Sequence, residues 1–458
     1  MNDSKVYLIG AGPGNAGLIT VRGLELVRKA DVLIYDQLGT SVFLREAPAG
    51  CQMFDVGKYA GNHKLTQDGI NELLAQKAKE FKTVVRLKGG DPYIFGRGGE
   101  EYLYLRERGI QVEVVPGVTS AISAPCFAGI PITQRGYTTS MAIVTGHEAV
   151  KPESEINWKA LAGIGTVIFL MGVKNIADIC NNLIKAGRSK NTPVAMVRNG
   201  TLTRQQSYFG TLATMPEIVT KENIQPPCVT VVGEVVSLHD KLDWFENLPL
   251  FGKEIVVTRS RAQASNLVAD LKELGANVIE CPTIKITPIA DNQPLKDFFA
   301  NHENYTHLVF TSVNGVNTFI DKLLENNKDL RILSRKKIVC IGPATADAFR
   351  QKGIIADFVP ETYVAEAMIP WFEKQKEAKV AILRAERARE VLPEALKKLG
   401  HQVDIISLYH ADYETEATPE LIEALQNNSI DYVTFTSSST VEGFAKMIEG
   451  SEIKPENI

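Results

Sequence analysis

The sequence of 458 residues has few of the side chains that build disulfide networks and metal centres. Its six cysteines are scattered and form no Cys-x-x-Cys pair, which argues against a zinc site and a disulfide framework and favours reduced thiols. Its seven histidines form neither a His-Glu-x-x-His nor a His-x-x-x-His cluster. We therefore expect no metal ion.

Long apolar runs and an excess of either charge are also absent. No apolar run reaches about 18 residues, so we expect no membrane span. The first residues lead directly into a strand and lack the shape of a signal peptide. The formal net charge of -4 provides no basic field that would attract nucleic acid or a membrane surface. These absences predict a cytoplasmic protein that binds acidic ligands through local Lys and Arg.

The apolar runs of the first half predict an α/β fold. Residues 6–9 form a short apolar run, residues 18–30 have helical spacing, and residues 32–35 are the next predicted strand. This order predicts a largely parallel sheet. Further strands are expected at residues 83–87, 111–115, 141–144, 166–171, 193–197 and 228–232. Residues 243–252 are predicted to be a linker before a strand at 254–258.

The second half contains an internal repeat. Residues 255–286 resemble residues 380–409, and residues 307–319 resemble residues 432–444, at a common offset of 125. This repeat predicts two similar α/β lobes with parallel sheets. The counterpart of residues 338–349 would begin near residue 463, after the end of the sequence. We therefore expect the last lobe to be incomplete, through truncation or, alternatively, through natural shortening.

A glycine-rich segment at residues 10–14 follows the first strand and precedes a helix. Glycines in such a turn allow the backbone to approach a ligand closely. Pro13 removes an amide that could hold a phosphate, and no acidic residue stands cleanly in the ribose-binding position, although Asp36 comes near. A nucleotide-dependent oxidoreductase is thus a weaker alternative, and a plain tight turn also stays open.

Further motifs follow this segment in a fixed order. They are DVGK (55–58), RLKGGDPYIFGRGGEE (86–101), PGVTSAISAPCFAGIPIT (116–133), FLMGV (169–173), TPVAMVRNGT (192–201) and PPCVTVVGEVV (226–236). Together they resemble the uroporphyrinogen-III C-methyltransferases of the tetrapyrrole methylase family. The resemblance covers residues 1–245 and implies subdomains at about 1–115 and 120–245. It also implies a homodimer.

The same resemblance implies chemistry. S-adenosyl-L-methionine would bind between the subdomains and methylate two pyrrole carbons, giving precorrin-2 and S-adenosyl-L-homocysteine, on a route to siroheme or cobalamin. The implied donor-site residues are Pro13, Gly89, Gly90, Asp91, Ile94, Thr119, Ser120, Met171 and Gly200. Asp36 is implied as proton acceptor and Lys58 as proton donor.

Several of these positions have simpler interpretations. Asp91 follows two glycines and is alternatively a turn residue, and Met171 ends an apolar strand and is alternatively a core residue. The carboxylates of the substrate require local cations. The candidates for this role are Arg86, Lys88, Arg97 and Arg135. The family usually has GIPLTHR where this chain has Gln134, so any role of a His there is lost or was never essential.

Residues 253–458 resemble uroporphyrinogen-III synthase. That resemblance implies closure of hydroxymethylbilane into uroporphyrinogen III by two lobes joined through a two-stranded hinge, with the middle lobe at about residues 290–408. Tyr409 is the implied catalytic residue, and Thr345 is a candidate for substrate binding. Other candidate hydroxyls are Thr311, Ser312, Thr436, Ser437 and Ser438, each of which is alternatively a helix cap. A methylase whose second half is only a dimerisation or partner-binding module is the main alternative.

Overall fold

A computed structural model describes residues 4–59, 62–63, 65–150, 155–259 and 261–449. At residues 58, 59, 62, 63, 150 and 261–265 only the backbone is described. The chain divides into two compact units. The first comprises Met1–Lys253 with Asp270–Asn277, and the second comprises Glu254–Ala269 with Val278–Ile458.

The first unit begins with a five-stranded sheet of order β3-β2-β6-β1-β7, in which all pairs are parallel. Its elements are β1 (Lys5–Gly10), α1 (Val21–Val27), β2 (Val32–Tyr35), β3 (Gln52–Asp55), the hairpin strands β4 (Lys58–Tyr59) and β5 (Asn62–His63), α2 (Gln67–Glu80), β6 (Thr83–Lys88), α3 (Gly98–Glu107), β7 (Gln111–Val115) and α4 (Ser120–Phe127). Because the strands are parallel, the loops after β1, β2, β6 and β7 lie at one edge of the sheet, where α/β proteins place ligands.

A second five-stranded sheet, of order β11-β10-β12-β9-β8, completes the first unit. Its elements are β8 (Met141–Thr145), α5 (Trp158–Ala162), β9 (Thr166–Leu170), α6 (Ile176–Lys185), β10 (Pro193–Arg198), β11 (Gln206–Thr211), α7 (Met215–Lys221), β12 (Cys228–Val232) and α8 (His239–Leu242). Only β8 and β9 pair in parallel. The expectation of a largely parallel sheet is therefore wrong here. The connection between β10 and β11 is too short for a helical crossover, so the pair is antiparallel.

Helix α4 follows the first sheet and packs on the second. Its alanines Ala121 and Ala124 are buried against Ile168, Ala195 and Val197 of the second sheet. Small side chains let the helix approach the sheet closely, and the Thr119 hydroxyl accepts a hydrogen bond from the Ala121 N–H at the start of the helix. The packing of α4 therefore fixes where its N-terminus lies relative to the loops of the first sheet.

The second unit contains a three-stranded sheet of order β14-β13-β20 and a five-stranded sheet of order β15-β19-β18-β16-β17. Its elements are β13 (Glu254–Val257), α9 (Arg261–Glu273), β14 (Asn277–Glu280), β15 (Ile284–Pro288), α10 (Gln293–Ala300), β16 (His307–Phe310), α11 (Val313–Glu325), β17 (Lys337–Cys340), α12 (Pro343–Arg350), α13 (Ile369–Phe372), β18 (Lys379–Ala385), α14 (Val391–Lys398), β19 (Gln402–Tyr413), α15 (Pro419–Gln426), β20 (Tyr432–Thr434) and α16 (Ser438–Glu449).

The structure confirms the internal repeat. At an offset of 125 residues β13 corresponds to β18, β16 to β20 and α11 to α16. Gly275 and Gly400 both follow a helix with positive φ, at +95° and +86°. The long strand β19 pairs in parallel with β18 and then, through its last residues, antiparallel with β15. This two-stranded connection corresponds to the hinge that the resemblance implies.

No described helix combines the length and the apolar character that crossing a membrane requires. Within the same residues, no three or more His, Cys, Asp or Glu side chains group in a way that could hold a metal ion.

Candidate active site

Three glycine-containing loops interlock at the carboxyl edge of the first sheet. The Gly12 N–H donates to the Gly90 carbonyl at 3.1 Å, and the Gly90 N–H donates to the Gly12 carbonyl at 2.7 Å. A Cβ atom on Gly117 would lie 2.2 Å from the Gly90 carbonyl oxygen, and one on Gly89 would lie 2.5 Å from that of Leu38. Only glycine permits this approach of backbone to backbone.

Asp91 holds two of these loops in place. One carboxylate oxygen accepts hydrogen bonds from the Tyr93 and Ile94 N–H groups at 2.8 and 3.1 Å, and the other accepts from the Gly117 N–H at 3.0 Å. Asp91 is thus a turn residue whose second oxygen reaches a different loop. The side chain of Ile94 is partly exposed beside it.

The N-terminus of α4 faces the loop that contains Gly90. A Cβ atom on Gly90 would have its nearest neighbour 3.8 Å away, at Thr119 Cα, and the next at the Ser120 nitrogen. The Thr119 hydroxyl accepts from the Ala121 N–H, and the Thr119 carbonyl accepts from the Ile122 and Ser123 N–H groups, each at 3.2 Å. The Gly90 loop therefore lies directly against the first residues of α4.

Met171 and Gly200 lie at one edge of the second sheet, because β9 and β10 both run antiparallel to β12. The side chain of Met171 is 57% exposed, and its φ is +57°. The alternative that Met171 is a core residue is therefore wrong. A Cβ atom on Gly200 would lie 2.3 Å from the Cβ of Ala124 in α4, so this loop packs directly on the helix.

The loop after β1 contacts loops of both sheets. The Asn15 side-chain amide donates to the Thr201 carbonyl at 3.4 Å, and Gly39 packs against the backbone of Pro13. The structure thus brings six of the expected donor-site residues to one region around the N-terminus of α4. These six are Pro13, Gly89, Gly90, Thr119, Ser120 and Gly200.

A buried ionic network lies beneath the first sheet's edge. Arg86 Nη2 donates to the Asp36 carboxylate at 2.7 Å, and Arg86 Nε donates to Glu101 Oε1 at 3.2 Å. Lys88 Nζ reaches the same Glu101 oxygen at 2.8 Å, and the Gln67 amide reaches it at 3.3 Å. The Asp36 side chain keeps 32% of its surface exposed, whereas Arg86 keeps 2%.

Arg86 and Lys88 are therefore not exposed cations, and their expected direct contact with substrate carboxylates is corrected. Burial lowers the pKa of Arg86, but the charges of Glu101 and Asp36 outweigh it and raise that pKa overall. Burial and then the charge of Arg86 lower the pKa of Lys88, despite the opposing charge of Glu101. Both cations are neutralised inside the protein.

The two remaining candidate cations are exposed. Arg97, at φ +57° before α3, donates to the Glu100 carboxylate through Nε at 2.8 Å and Nη2 at 2.7 Å. This hydrogen bond to Glu100 raises the pKa of Arg97. Arg135 is exposed in a turn closed by a bridge between Gln134 and Thr138. Lys58 begins β4, and its side chain lies outside the described part of the structure.

In the second unit, Tyr409 lies at the carboxyl edge of the five-stranded sheet. Its hydroxyl lies 2.8 Å from that of Ser312, and its side chain is 4% exposed. Burial raises the pKa of Tyr409, although the Ser312 hydrogen bond opposes this. Thr345 is buried in α12, and its role in substrate binding stays a prediction.

The remaining hydroxyls divide between capping and exposure. Ser312 accepts from the Gly315 N–H at 2.9 Å and so caps α11, and Ser437 accepts from the Thr440 N–H at 3.3 Å at the start of α16. The capping interpretation therefore holds for these two serines. Thr436, Ser437 and Ser438 are exposed, and Thr311 is partly exposed.

Comparisons with known proteins agree with both units. The family model for tetrapyrrole (corrin/porphyrin) methylases matches residues 5–216, and that for uroporphyrinogen-III synthase HemD matches residues 265–457. A porphyrin biosynthesis protein HemD from Ruminiclostridium josui is 39% identical over 447 residues, which cover 97% of this chain and 89% of that protein. The chain belongs to the uroporphyrinogen-III C-methyltransferases with a fused uroporphyrinogen-III synthase region.

Further relatives extend this assignment. A uroporphyrinogen-III C-methyltransferase from Bacillus subtilis (strain 168) is 36% identical over 79% of this chain and 74% of that protein. An S-adenosyl-L-methionine-dependent uroporphyrinogen III methyltransferase from Methanosarcina barkeri is 49% identical over 53% of this chain and 95% of its own length. A crystal structure of a Thermus thermophilus uroporphyrin-III C-methyltransferase with S-adenyl homocysteine shares 36% identity, covering 51% of this chain and 99% of that one, at a TM-score of 0.45. The expectation of a methyltransferase that uses S-adenosylmethionine, with a fused synthase region, is confirmed.

Some residues of the methyltransferase region were not singled out from the sequence. Asn15 and Thr201 link the two sheets, and Glu101 neutralises Arg86 and Lys88. Two signals for them were available. Asn15 and Thr201 each lie directly beside motif glycines, and Glu101 ends the motif that contains both cations.

Proposed function

We propose that the first unit transfers methyl groups from S-adenosylmethionine to two pyrrole carbons of uroporphyrinogen III, giving precorrin-2. The supporting observation is that loops from both sheets meet at the N-terminus of α4 around Gly90. The donor has an amino acid head with a carboxylate, and the positive end of a helix dipole suits such an anion.

The donor supplies an electrophilic methyl group next to a sulfonium cation. The glycines and carbonyl groups of the three loops can approach that cation and offer no side-chain nucleophile that would be methylated instead. In-line positioning of donor and pyrrole carbon accounts for much of the acceleration, since good orientation can contribute roughly 7–11 kcal/mol. Asp91 contributes by fixing the loops through its three backbone hydrogen bonds.

Asp36 is the proposed acceptor of the proton that leaves the methylated ring. Its carboxylate follows β2 at the same sheet edge as Gly89, and Arg86 anchors one of its oxygens. The exposed part of Asp36 remains available to the substrate. Lys58 is the proposed proton donor.

Arg97 and Arg135 are the proposed contacts to the substrate carboxylates, since both are exposed at the first unit's surface. A guanidinium matches a carboxylate in two-point geometry, as Arg97 already shows with Glu100. A substrate carboxylate can therefore replace Glu100 as the partner of Arg97 without a change in the geometry of the pair.

For the second unit we propose closure of hydroxymethylbilane to uroporphyrinogen III. Loss of hydroxide from the substrate requires hydrogen-bond donors near the leaving group. The Ser312–Tyr409 pair and the exposed hydroxyls at 436–438 are the candidate donors. The alternative stays a dimerisation or partner module.

The same proposal includes a homodimer through the methylase region, a cytoplasmic location, and supply of precorrin-2 to siroheme or cobalamin. It also includes domain limits at residues 1–245 and 253–458, with the middle synthase lobe at about 290–408. The homodimer, the lobe limits and the route of the product rest on the resemblance.

The test uses the purified full chain with two substrates in separate reactions. With uroporphyrinogen III and S-adenosylmethionine we expect a product that carries two added methyl groups by mass spectrometry. Asp36→Asn should slow this reaction at least about a hundredfold, as general bases contribute roughly 10²–10⁴-fold. Asp178→Asn, at an exposed helix position, should not.

With hydroxymethylbilane alone, formation of the type III isomer supports synthase activity, and formation of only the uncatalysed isomer supports the partner-module alternative. A chain that binds a nicotinamide cofactor and fails to bind S-adenosylhomocysteine would contradict the methylase proposal.

A further inference from the structure

The loop that contains Gly200 has an unusual backbone for its residue types. Asn199 and Thr201 have positive φ angles of +49° and +74°, and Thr201 is a β-branched residue, for which this region is strongly disfavoured. Such a conformation persists only where surrounding contacts determine it.

Gln205 supplies the central contact. Its side chain is 3% exposed, and its Oε1 accepts a hydrogen bond from the Thr201 N–H at 2.8 Å. Its Nε2 donates to the carbonyl of Phe127, the last residue of α4, at 3.1 Å, and to Glu246 Oε1 at 2.8 Å. The amide therefore uses its acceptor and both of its hydrogens, which fixes its orientation.

Glu246 lies beyond the second sheet, in the segment that follows α8. Its Oε1 also accepts from the Ser207 hydroxyl at 2.6 Å, and its own N–H donates to Asp243 Oδ1 at 3.2 Å. A chain of hydrogen bonds thus runs from this segment through Gln205 to the backbone of Thr201. The far side of the same loop receives the Asn15 amide at the Thr201 carbonyl.

We propose that Gln205 and Glu246 are positioning residues that hold the Gly200–Thr201 loop in the conformation required to bind S-adenosylmethionine. The inference rests on the donor site proposed above. Neither side chain contacts the donor. Each acts through the backbone of Thr201, so that the segment after α8 forms part of the methylase site.

The test measures S-adenosylhomocysteine affinity by calorimetry on the full chain. Gln205→Leu keeps the side-chain volume and removes all three hydrogen bonds. We expect about tenfold weaker binding, equivalent to about 1.4 kcal/mol. Gln206→Leu is the matched control, since the side chain of Gln206 is exposed and accepts hydrogen bonds from Arg198 and Tyr208, outside the Gln205 network. It should bind within about twofold of the unchanged chain.

Steady-state kinetics distinguish positioning from general stability. Glu246→Ala should raise the KM for S-adenosylmethionine several-fold and leave the KM for the tetrapyrrole unchanged. Gln205→Glu alone would place its carboxylate against that of Glu246. Adding Glu246→Gln restores a pair of one amide donor and one carboxylate acceptor. We expect the double variant to recover donor affinity relative to Gln205→Glu.

Unchanged donor affinity in both Gln205→Leu and Glu246→Ala would overturn the inference, as would equal changes in both KM values. If Gln205→Leu does not fold, the partly exposed Glu246 still decides the matter. Asp91→Asn distinguishes failure of the positioning role from failure of the donor site. If S-adenosylhomocysteine binds more weakly to Asp91→Asn but equally well to the Gln205 and Glu246 variants, only the positioning role is refuted. Unchanged binding in all three refutes the proposed donor site.

Discussion

Replacing Glu101 by Gln should destabilise the first unit severely. The carboxylate is fully buried and accepts from Lys88 Nζ at 2.8 Å and Arg86 Nε at 3.2 Å through one oxygen. Without its charge, two buried cations face the single carboxylate of Asp36. Breaking a buried ion pair by removing one partner typically costs about 3–5 kcal/mol, and we expect a loss of that size in the free energy of unfolding near neutral pH.

The loss should become smaller as the pH rises. The folded-state pKa of Lys88 is lowered by burial and by Arg86, and Glu101 opposes that shift. Between the folded and the unfolded pKa values the unfolded chain binds more protons, so stability rises with pH in that window. Removing the charge of Glu101 lowers the folded pKa of Lys88 further. The pH range in which stability rises with pH therefore begins at a lower pH. Lys88 can then lose its proton and relieve the unpaired charge.

Urea unfolding of the two chains at several pH values between about 7 and 10 measures this difference. Glu100→Gln is the matched control, because Glu100 is the preceding residue and its ion pair with Arg97 is half exposed. An exposed pair contributes about 0–1 kcal/mol, and we expect that range for the control. A Glu101→Gln loss below about 1 kcal/mol, or one that grows toward alkaline pH, would refute the reasoning.

Three further variants test the donor site and the second unit. Asp91→Asn turns an amide donor toward backbone donors, and calorimetry should show S-adenosylhomocysteine binding weakened about 10- to 100-fold, since hydrogen bonds to a charged group contribute about 1.5–3 kcal/mol. Gly200→Ala places a methyl group 2.3 Å from the Cβ of Ala124, so donor affinity and the midpoint of thermal unfolding should both fall; an unchanged midpoint would contradict this packing. Tyr409→Phe removes the 2.8 Å bond to Ser312. It should cost about 1 kcal/mol of stability in urea, and it should slow formation of the type III isomer while methylation of added uroporphyrinogen III continues.

The local signals in the sequence were sufficient for the buried strands and for the repeat. β1, β2, β6 and β7 were all predicted, because a short apolar run bounded by glycine or polar residues specifies a buried parallel strand. The strands β3 and β11 were not predicted. β3 is an edge strand with exposed residues, and β11 is also at an edge, so neither has the apolar run of a central strand.

The close backbone contacts of the proposed donor site follow from the glycines of the motifs. The glycines that allow the loops to touch can be read directly from the sequence. The structure places Gly89 and Gly200 where close contacts exclude a side chain, and it gives Gly90 a positive φ. The exposure of Met171 could not be predicted, because an apolar residue after an apolar strand resembles core. Only its left-handed backbone turns the side chain out of the sheet.

The charged residues of the same motif show a different limit. Arg86 and Lys88 are two positions apart on β6 and therefore project from the same face of the strand. That face is covered by α2 and α3, and Glu101 on α3 reaches both cations. Sequence spacing reveals that two positive charges share a face, but their neutralisation depends on a helix that packs there. A cation within a binding motif is accessible to a substrate only where its side chain is exposed, as that of Arg135 is and that of Arg86 is not.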